Sequence, residues 1–133
     1  MTPDTSPVAR PNVTRRRVLI VDDNTDITAS MQMVLEILGQ DVRVAGDGPT
    51  ALEEVERFRP ALVLLDLGLP EMDGYEVARR IRAQAGGAAI EIIAISGWGD
   101  DASRTLSAAA GCDQHWLKPI SFDDLRKHLA RPR

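Results

Sequence analysis

Short aliphatic runs alternate with amphipathic segments along most of this chain. Consecutive apolar residues are typical of strands that are buried on both faces, whereas apolar residues three and four positions apart predict helices. The predicted strands are 17–21, 42–45, 61–65, 90–95 and 114–117, and the predicted helices are 27–38, 47–59, 75–85, 100–110 and a last helix after Ser121. Strands that alternate with helices predict an α/β fold with a doubly wound parallel sheet, covered on both faces.

Residues that typically end or begin helices lie at the boundaries that this pattern predicts. Pro60 ends the second helix, and Gly86 with Gly87 ends the third. Ser121 and Asp124 form a capping box at the start of the last helix. That helix is expected to bury Phe122, Leu125 and Leu129.

The first part of the chain differs from the rest. Residues 1–16 contain Pro3, Pro7 and Pro11 with almost no apolar periodicity, which predicts a disordered leader. Residues 17–130 are then expected to form one domain, since 133 residues support one core and not two.

Composition excludes several functional classes. The chain is 44% hydrophobic without an apolar stretch near 18 residues, so we expect no membrane contact and a cytoplasmic protein. A net charge of −4 gives no general attraction to nucleic acid. The single cysteine, Cys112, cannot form an internal disulfide and is interpreted as a small packing residue.

Three carboxylates lie where two strands end. Asp22 and Asp23 follow the run VLIV, and Asp66 follows ALVLL. Open α/β sheets bind ligands at the carboxyl ends of their strands. Because three acids in one small space repel each other unless a cation lies among them, the sequence predicts a Mg²⁺ site.

Two further strands end in groups that suit phosphate. The run IEIIAIS ends in the hydroxyl of Ser96, and QHWLKP places Lys118 before Pro119. With these residues the chain resembles the receiver domain of two-component response regulators, the CheY-like superfamily. The segment DLGLPEMDG, residues 66–74, is similar to the phosphoacceptor loop of that family, and the resemblance runs from residue 17 to residue 129.

The resemblance implies a flavodoxin-like sheet with strand order 2-1-3-4-5, and it implies a role for each strand end. Asp66 is expected to accept a phosphoryl group from a histidine kinase or a histidine phosphotransfer protein. Asp22 and Asp23, with Asp66 and the backbone carbonyl of Gly68, are expected to hold Mg²⁺.

Lys118 and Ser96 are expected to stabilise the phosphoryl oxygens, and the Lys118–Pro119 peptide is expected to be cis, as in the family. The phosphorylated state is then expected to signal through the face formed by the fourth helix, the fifth strand and the fifth helix.

One residue departs from the family pattern, and a second lies in the loop beside Ser96. His115 stands where the family most often has tyrosine or phenylalanine as a rotamer switch, so it is either that switch, with protonation biasing it, or a surface histidine. Trp98, two residues after Ser96, is interpreted as a partly exposed lid. In the family, the residues at the positions of Gly68 and Trp98 flank the line of water attack. The resemblance therefore implies slow loss of the phosphoryl group, because neither residue helps a water molecule to attack.

Other classes fit less well. A flavodoxin needs a glycine- and hydroxyl-rich phosphate loop where this chain has Asp22 and Asp23, and a haloacid-dehalogenase-type phosphatase has a second acid where this chain has Gly68. A phosphorylation-independent interaction module would lack an acid or the lysine. The sequence therefore predicts a signalling switch, not an enzyme. We expect a single-domain response regulator, with the receiver of a hybrid histidine kinase as the alternative.

Overall fold

A five-stranded parallel sheet forms the centre of the computed structural model, which describes residues 15–69 and 72–130. The strands are β1 (Arg17–Val21), β2 (Asp41–Ala45), β3 (Leu62–Asp66), β4 (Glu91–Ser96) and β5 (Gln114–Leu117). Their order is β2-β1-β3-β4-β5, which confirms the predicted fold. Residues 1–14 of the predicted leader lie outside the described residues.

Five α-helices connect and cover these strands. They are α1 (Thr25–Ile37), α2 (Gly48–Phe58), α3 (Gly74–Ala83), α4 (Asp101–Ala109) and α5 (Phe122–Leu129), with a short 3-10 helix at Gly87–Ala89. Two strands extend one residue further than predicted, because Asp66 and Ser96 still pair within the sheet as the last residues of β3 and β4. Both side chains therefore start from rigid strand backbone, not from a loop.

The strands divide their side chains between two cores. Leu19 and Val21 of β1 point to the layer of α2 and α3, whereas Val18 and Ile20 point to the layer of α1 and α5. This alternation with period two places one fully buried layer on each face of the sheet. The described residues include no helix with the length and apolar character that a membrane crossing requires.

The prediction that the last helix buries Phe122 is wrong. Leu125 and Leu129 are fully buried, but Phe122 is 41% exposed. Phe122 is the first residue of α5 and lines an open pocket between α1 and the β5–α5 connection, so its ring lies beyond the layer that covers the sheet. Ile27, near the start of α1, lines the same pocket and is 38% exposed.

Side-chain caps fix where the helices begin. An acceptor side chain precedes each α-helix and bonds the amides of its first turn, and these acceptors are Asn24, Asp47, Asp73, Asp100 and Ser121. For Ser121, Oγ accepts from the Asp124 amide over 3.1 Å, as the sequence predicts. All five caps lie at the carboxyl edge of the sheet, so they fix the loops that surround the clustered acids.

Cys112 packs into the core beside α4, as expected for a small packing residue. Burial raises the pKa of its thiol to about 11, which leaves it protonated and unreactive near neutral pH.

Candidate functional site

Three carboxylates converge at the carboxyl edge of the sheet. Asp22 follows the end of β1, Asp23 comes next, and Asp66 ends β3, which lies beside β1 with Val21 opposite Leu65. One oxygen from each carboxylate lies within 4.8 Å of the others. Asp22 and Asp66 are only 6% and 4% exposed, whereas Asp23 is exposed to solvent.

The backbone holds Asp22 firmly. Its amide donates to the Ala45 carbonyl of β2 over 3.1 Å, and its Oδ1 accepts from the Asn24 amide over 2.9 Å. Asn24 then caps α1 by accepting from the Asp26 and Ile27 amides. The turn from β1 into α1 therefore fixes the direction in which the Asp22 carboxylate points.

Two donors meet one oxygen of Asp66. The ammonium of Lys118 lies 3.0 Å from Oδ1, and the Gly68 amide donates to the same oxygen over 2.9 Å. Lys118 reaches this position from the end of β5, where its amide donates to the Ser96 carbonyl over 2.8 Å. The Lys118–Pro119 peptide bond that follows is cis.

Close packing requires a glycine as the first residue of α3. A β-carbon at Gly74 would lie 2.5 Å from the Cα atom of Leu67, closer than real β-carbons approach another atom. The start of α3 therefore lies directly against Leu67, the residue between Asp66 and Gly68.

The charges in this cluster do not balance. Burial raises the pKa of Asp22 above its ordinary value, and the neighbouring Asp66 and Asp23 add to this effect. The Asn24 amide and Lys118 oppose it and do not cancel it. Oxygen donors of high charge density in this arrangement fit a hard divalent cation, for which carboxylates are the preferred protein ligands.

Ser96 completes the edge. It ends β4 opposite Leu117 of β5, next to the strand that carries Asp66, and its Oγ accepts from the Trp98 amide over 3.0 Å. The structure thus brings together an acid pair, a third acid, a hydroxyl and an ammonium group from four parallel strands. This arrangement can hold a cation and stabilise a phosphoryl group on the Asp66 carboxylate.

Comparison with known proteins agrees with this geometry. The model of the response regulator receiver domain family matches residues 18–130. The chain belongs to the response regulator receiver family.

Individual relatives agree with that assignment. A DNA-binding response regulator, MtrA of Mycolicibacterium paratuberculosis, is 38% identical over 111 residues, which cover 84% of this chain and 48% of that protein. This receiver therefore spans about half the length of the curated relatives that it matches.

Solved receivers have the same architecture. The receiver domain of the sensor histidine kinase PA1611 of Pseudomonas aeruginosa PAO1, with magnesium coordinated in its active-site cleft, is 32% identical with a TM-score of 0.79, over 87% of this chain and 95% of that one. The chemotaxis protein CheY4 of Vibrio cholerae is 26% identical with a TM-score of 0.83, over 87% and 97% of the two chains.

The structure connects His115 with the backbone of Trp98. His115 lies on β5 with Nε2 2.7 Å from the Trp98 carbonyl and Nδ1 3.0 Å from the Ser107 hydroxyl of α4. The Trp98 side chain is 75% exposed, so it covers little of its surroundings, and its role as a lid stays a prediction.

Ser107 was not identified from the sequence. It is 2% exposed, and its position among the small residues of α4, SAAAG, gives no chemical signal. Its contact with His115 depends on the pairing of β4 with β5 and on how α4 lies against them, which a sequence pattern does not specify.

A mainly apolar pocket of about 640 Å³ lies beside the carboxylates of this receiver. It is lined by Asp22, Asn24, Asp26, Ile27, Ser30, Met31, Ile95, Lys118, Pro119, Ile120 and Phe122. Ile27 on α1 and Phe122 on α5 both line this open pocket, which accounts for their exposure. An open apolar pocket next to two charged groups of the site is a suitable contact area for a protein partner.

Proposed function

We propose that this receiver accepts a phosphoryl group on Asp66 from a histidine kinase or a histidine phosphotransfer protein, with Mg²⁺ bound by Asp22, Asp23, Asp66 and the Gly68 carbonyl. One observation carries the proposal. The Asp66 carboxylate is buried at the end of β3, with the Lys118 ammonium 3.0 Å away and two other carboxylates around it. A buried acid in this setting has both a cation site and a fixed positive group within reach of a phosphoryl group.

Each side chain of the site has a separate role in phosphoryl transfer. A carboxylate oxygen of Asp66 attacks phosphorus, forms an acyl phosphate, and releases the imidazole of the donor histidine. Mg²⁺, when bound, neutralises phosphoryl charge and aligns the phosphodonor. Lys118 moves its ammonium from Asp66 to a phosphoryl oxygen, and the Ser96 hydroxyl donates to another. Since the covalent step needs alignment more than acid–base chemistry, no general base is required.

The pocket between α1 and α5 supports a protein phosphodonor. Ile27 and Phe122 offer apolar surface directly beside Asp22 and Lys118, so a donor can bury its own apolar side chains while its phosphohistidine reaches Asp66. Replacing Phe122 with Ser should then weaken phosphotransfer from a protein donor and leave labelling by acetyl phosphate unchanged. Equal losses with both donors would count against this docking surface.

Intact-mass measurement with Mg²⁺ and acetyl phosphate tests the main proposal. The protein should gain one phosphoryl group that is stable in acid and labile in base, and Asp66→Asn should gain none. Asp101→Asn, an exposed acid in the first turn of α4, is a matched control and should be labelled like the wild type. Label that persists in Asp66→Asn, or that is found on a serine or histidine, would contradict the assignment.

The pathway role is a further part of the proposal. We favour a free-standing cytoplasmic relay in a two-component system or phosphorelay that signals through α4, β5 and α5, over the receiver of a hybrid histidine kinase. A neighbouring gene for a histidine kinase without its own receiver would support this choice, and a kinase gene fused to this one would overturn it.

Binding to DNA is not part of the proposal, because a net charge of −4 gives no general attraction to phosphates. Gel-shift titration of the phosphorylated protein with mixed DNA tests this point, and salt-sensitive binding would contradict it.

A further inference from the structure

The pocket between α1 and α5 adjoins the phosphorylation site and is mainly apolar. Asp22 and Lys118 line it, and both lie next to Asp66. An oxygen of Asp22 is within 4.8 Å of an Asp66 oxygen, and the Lys118 ammonium is 3.0 Å from Asp66 Oδ1. The volume of about 640 Å³ lies within the range of roughly 300–1,000 Å³ that is typical of small-molecule pockets. The pocket can therefore hold an organic group that is attached to a phosphoryl group at Asp66.

Both buried and exposed apolar side chains line this pocket. Met31 of α1 and Ile95 of β4 are 2% and 5% exposed and belong to the core, whereas Ile27 and Phe122 are 38% and 41% exposed. An apolar group that lies among these four side chains loses contact with water on several sides. Burial of each methylene group favours binding by up to roughly fourfold. The lining residues therefore favour an apolar occupant that is larger than a methyl group.

We propose that this pocket receives the acyl group of a small phosphodonor, and that the receiver therefore prefers acyl phosphates whose apolar acyl chain is longer than acetyl. The inference rests on the proposed phosphorylation of Asp66. A carboxylate oxygen of Asp66 attacks phosphorus, the bond between phosphorus and the acyl oxygen breaks, and the departing carboxylate keeps the electron pair. One acyl phosphate replaces another, so the step needs no proton, oxidant or further reactant.

The charges around the pocket fit an uncharged acyl group. The phosphoryl anion of the donor belongs beside the Lys118 ammonium, whereas the buried Asp22 and the exposed Asp26 also line the pocket. An acyl group with its own carboxylate would lie near these acids and be repelled. The carboxylate product meets the same repulsion after transfer, which favours its release. Apolar acyl phosphates therefore bind here as donors and do not remain bound as products.

The test compares the rates at which acetyl phosphate and butyryl phosphate label the protein, at equal and subsaturating concentrations with Mg²⁺, by intact mass. Butyryl phosphate should label the wild type roughly three- to tenfold faster, because its two additional methylene groups are partly buried. Ile27→Ser and Phe122→Ser should each lower the ratio of the two rates towards one. Met33→Ser is the matched control, because Met33 is exposed on the same helix and does not line the pocket. It should keep the wild-type ratio.

Two further measurements separate binding in the pocket from the reactivity of the donors. Ser30→Leu fills the pocket from α1, where Ser30 is an exposed lining residue, and should also lower the ratio. Phosphonate analogues of the two donors, in which a methylene group replaces the bridging oxygen, cannot transfer their phosphoryl group. The longer analogue should shift the NMR signals of the Met31 and Ile95 methyl groups more than the shorter one does.

The same ratio of rates in the wild type, Phe122→Ser and Ser30→Leu would overturn the inference, even if Phe122→Ser weakens transfer from a protein donor. Equal effects of both analogues on the Met31 methyl signal would also overturn it. Failure of the proposed function looks different. In that case no donor would label the wild type, including phosphoramidate, which has no acyl group, or Asp66→Asn would be labelled equally well. Thermal unfolding shows whether each variant folds, and Ser30→Leu tests the inference if the serine variants do not.

Discussion

The two edges of the sheet differ in how their charged groups are paired. At the carboxyl edge, Asp22, Asp23 and Asp66 share one small space, with Lys118 bonded to Asp66. At the amino edge, Arg82 donates to backbone carbonyls and to the Asp113 carboxylate, and His128 pairs with Glu91. One edge therefore carries unbalanced negative charge, while the other uses its charges to connect elements.

Arg82 shows how the amino edge works. From the last turn of α3, its guanidinium donates to the carbonyls of Gly87, Ile90 and Gly111 and to the carboxylate of Asp113. The same carboxylate oxygen of Asp113 accepts from the Ile92 amide over 2.8 Å. One side chain thus connects α3, the start of β4 and the connection between α4 and β5.

The difference between the edges shows which charged groups lower the stability of this domain. Close like charges at the carboxyl edge destabilise the metal-free fold and favour a bound cation, so function depends on groups that cost stability. The hydrogen bonds of Arg82 at the amino edge are part of what offsets that cost. Substitutions at the two edges should therefore change different properties, and the following experiments test this separation.

The largest expected effect is on stability at the amino edge. Arg82→Leu leaves several carbonyls and one carboxylate without their charged donor, and it should lower the free energy of unfolding by about 3 kcal/mol. Urea denaturation measures this. Arg79→Leu is the control, because Arg79 is exposed and pairs with Glu76 on the helix surface, where such pairs contribute little. If the folded Arg82→Leu protein binds Mg²⁺ more weakly than the wild type, substitutions at the two edges do not change separate properties.

The next effect is on metal binding at the carboxyl edge. Asp23→Asn removes an exposed carboxylate of the proposed Mg²⁺ site, so Mg²⁺ affinity and labelling by acetyl phosphate should both fall by about tenfold or more, which is about 1.4 kcal/mol. The free energy of unfolding without Mg²⁺ should change little. Asp26→Asn, an exposed acid one helical turn away, should keep its Mg²⁺ affinity. Undiminished affinity in Asp23→Asn would place the cation elsewhere.

A substitution at the same edge should stabilise the metal-free protein. The pKa of Asp22 is raised above 3.8 in the fold, chiefly by burial, so the folded state binds more protons than the unfolded state as pH rises from 3.8 to the raised pKa. The free energy of unfolding falls through that window and stays lower above it. Asp22→Asn removes this cost. With a chelator at pH 7, its free energy of unfolding should exceed that of the wild type by about 1 kcal/mol.

Addition of Mg²⁺ should reverse that order, because the wild type gains binding free energy that Asp22→Asn lacks. Thermal unfolding with and without Mg²⁺ at pH 7 gives both comparisons. A variant that is less stable than the wild type with the chelator present would show that the acid cluster is not under strain.

The sequence predicts the site residues at the carboxyl edge but not the contacts of Arg82 at the amino edge, for a physical reason. The acids, Ser96 and Lys118 each directly follow or end an apolar run, so local pattern and parallel topology together place them side by side. The partners of Arg82 come from two separate segments, 87–90 and 111–113, and an arginine on a helix gives no local sign of them.

The same reason explains one wrong prediction and one missed contact near the site. The exposure of Phe122 depends on how far α5 extends past β5, and the contact of His115 with Ser107 depends on the position of α4 against the sheet. Neither is set by the residues within one element, so periodicity predicts the helices and strands but not these contacts.

The smallest expected effect concerns the lifetime of the phosphorylated protein. A β-carbon at Gly68 would lie 3.5 Å from Asp66 Oδ1, an ordinary contact distance, so a side chain fits there directly beside the phosphoacceptor. Gly68→Asn places an amide that can orient a water molecule on the line of attack and should speed the decay several-fold, roughly 1 kcal/mol of the barrier. The stability of the fold should hardly change.

Trp98→Ala should act in the same direction and by less, because a side chain that is 75% exposed excludes little water from Asp66. The measurement is decay of the phosphorylated protein after removal of the phosphodonor, for the wild type and both variants at one pH and Mg²⁺ concentration. Leu106→Ala, which truncates an exposed apolar side chain on α4, controls for loss of surface apolar area. If Trp98→Ala decays faster than Gly68→Asn, the indole covers the phosphorylated site even though it is exposed here. If neither variant decays faster than the wild type, groups other than these two flanking residues set the lifetime.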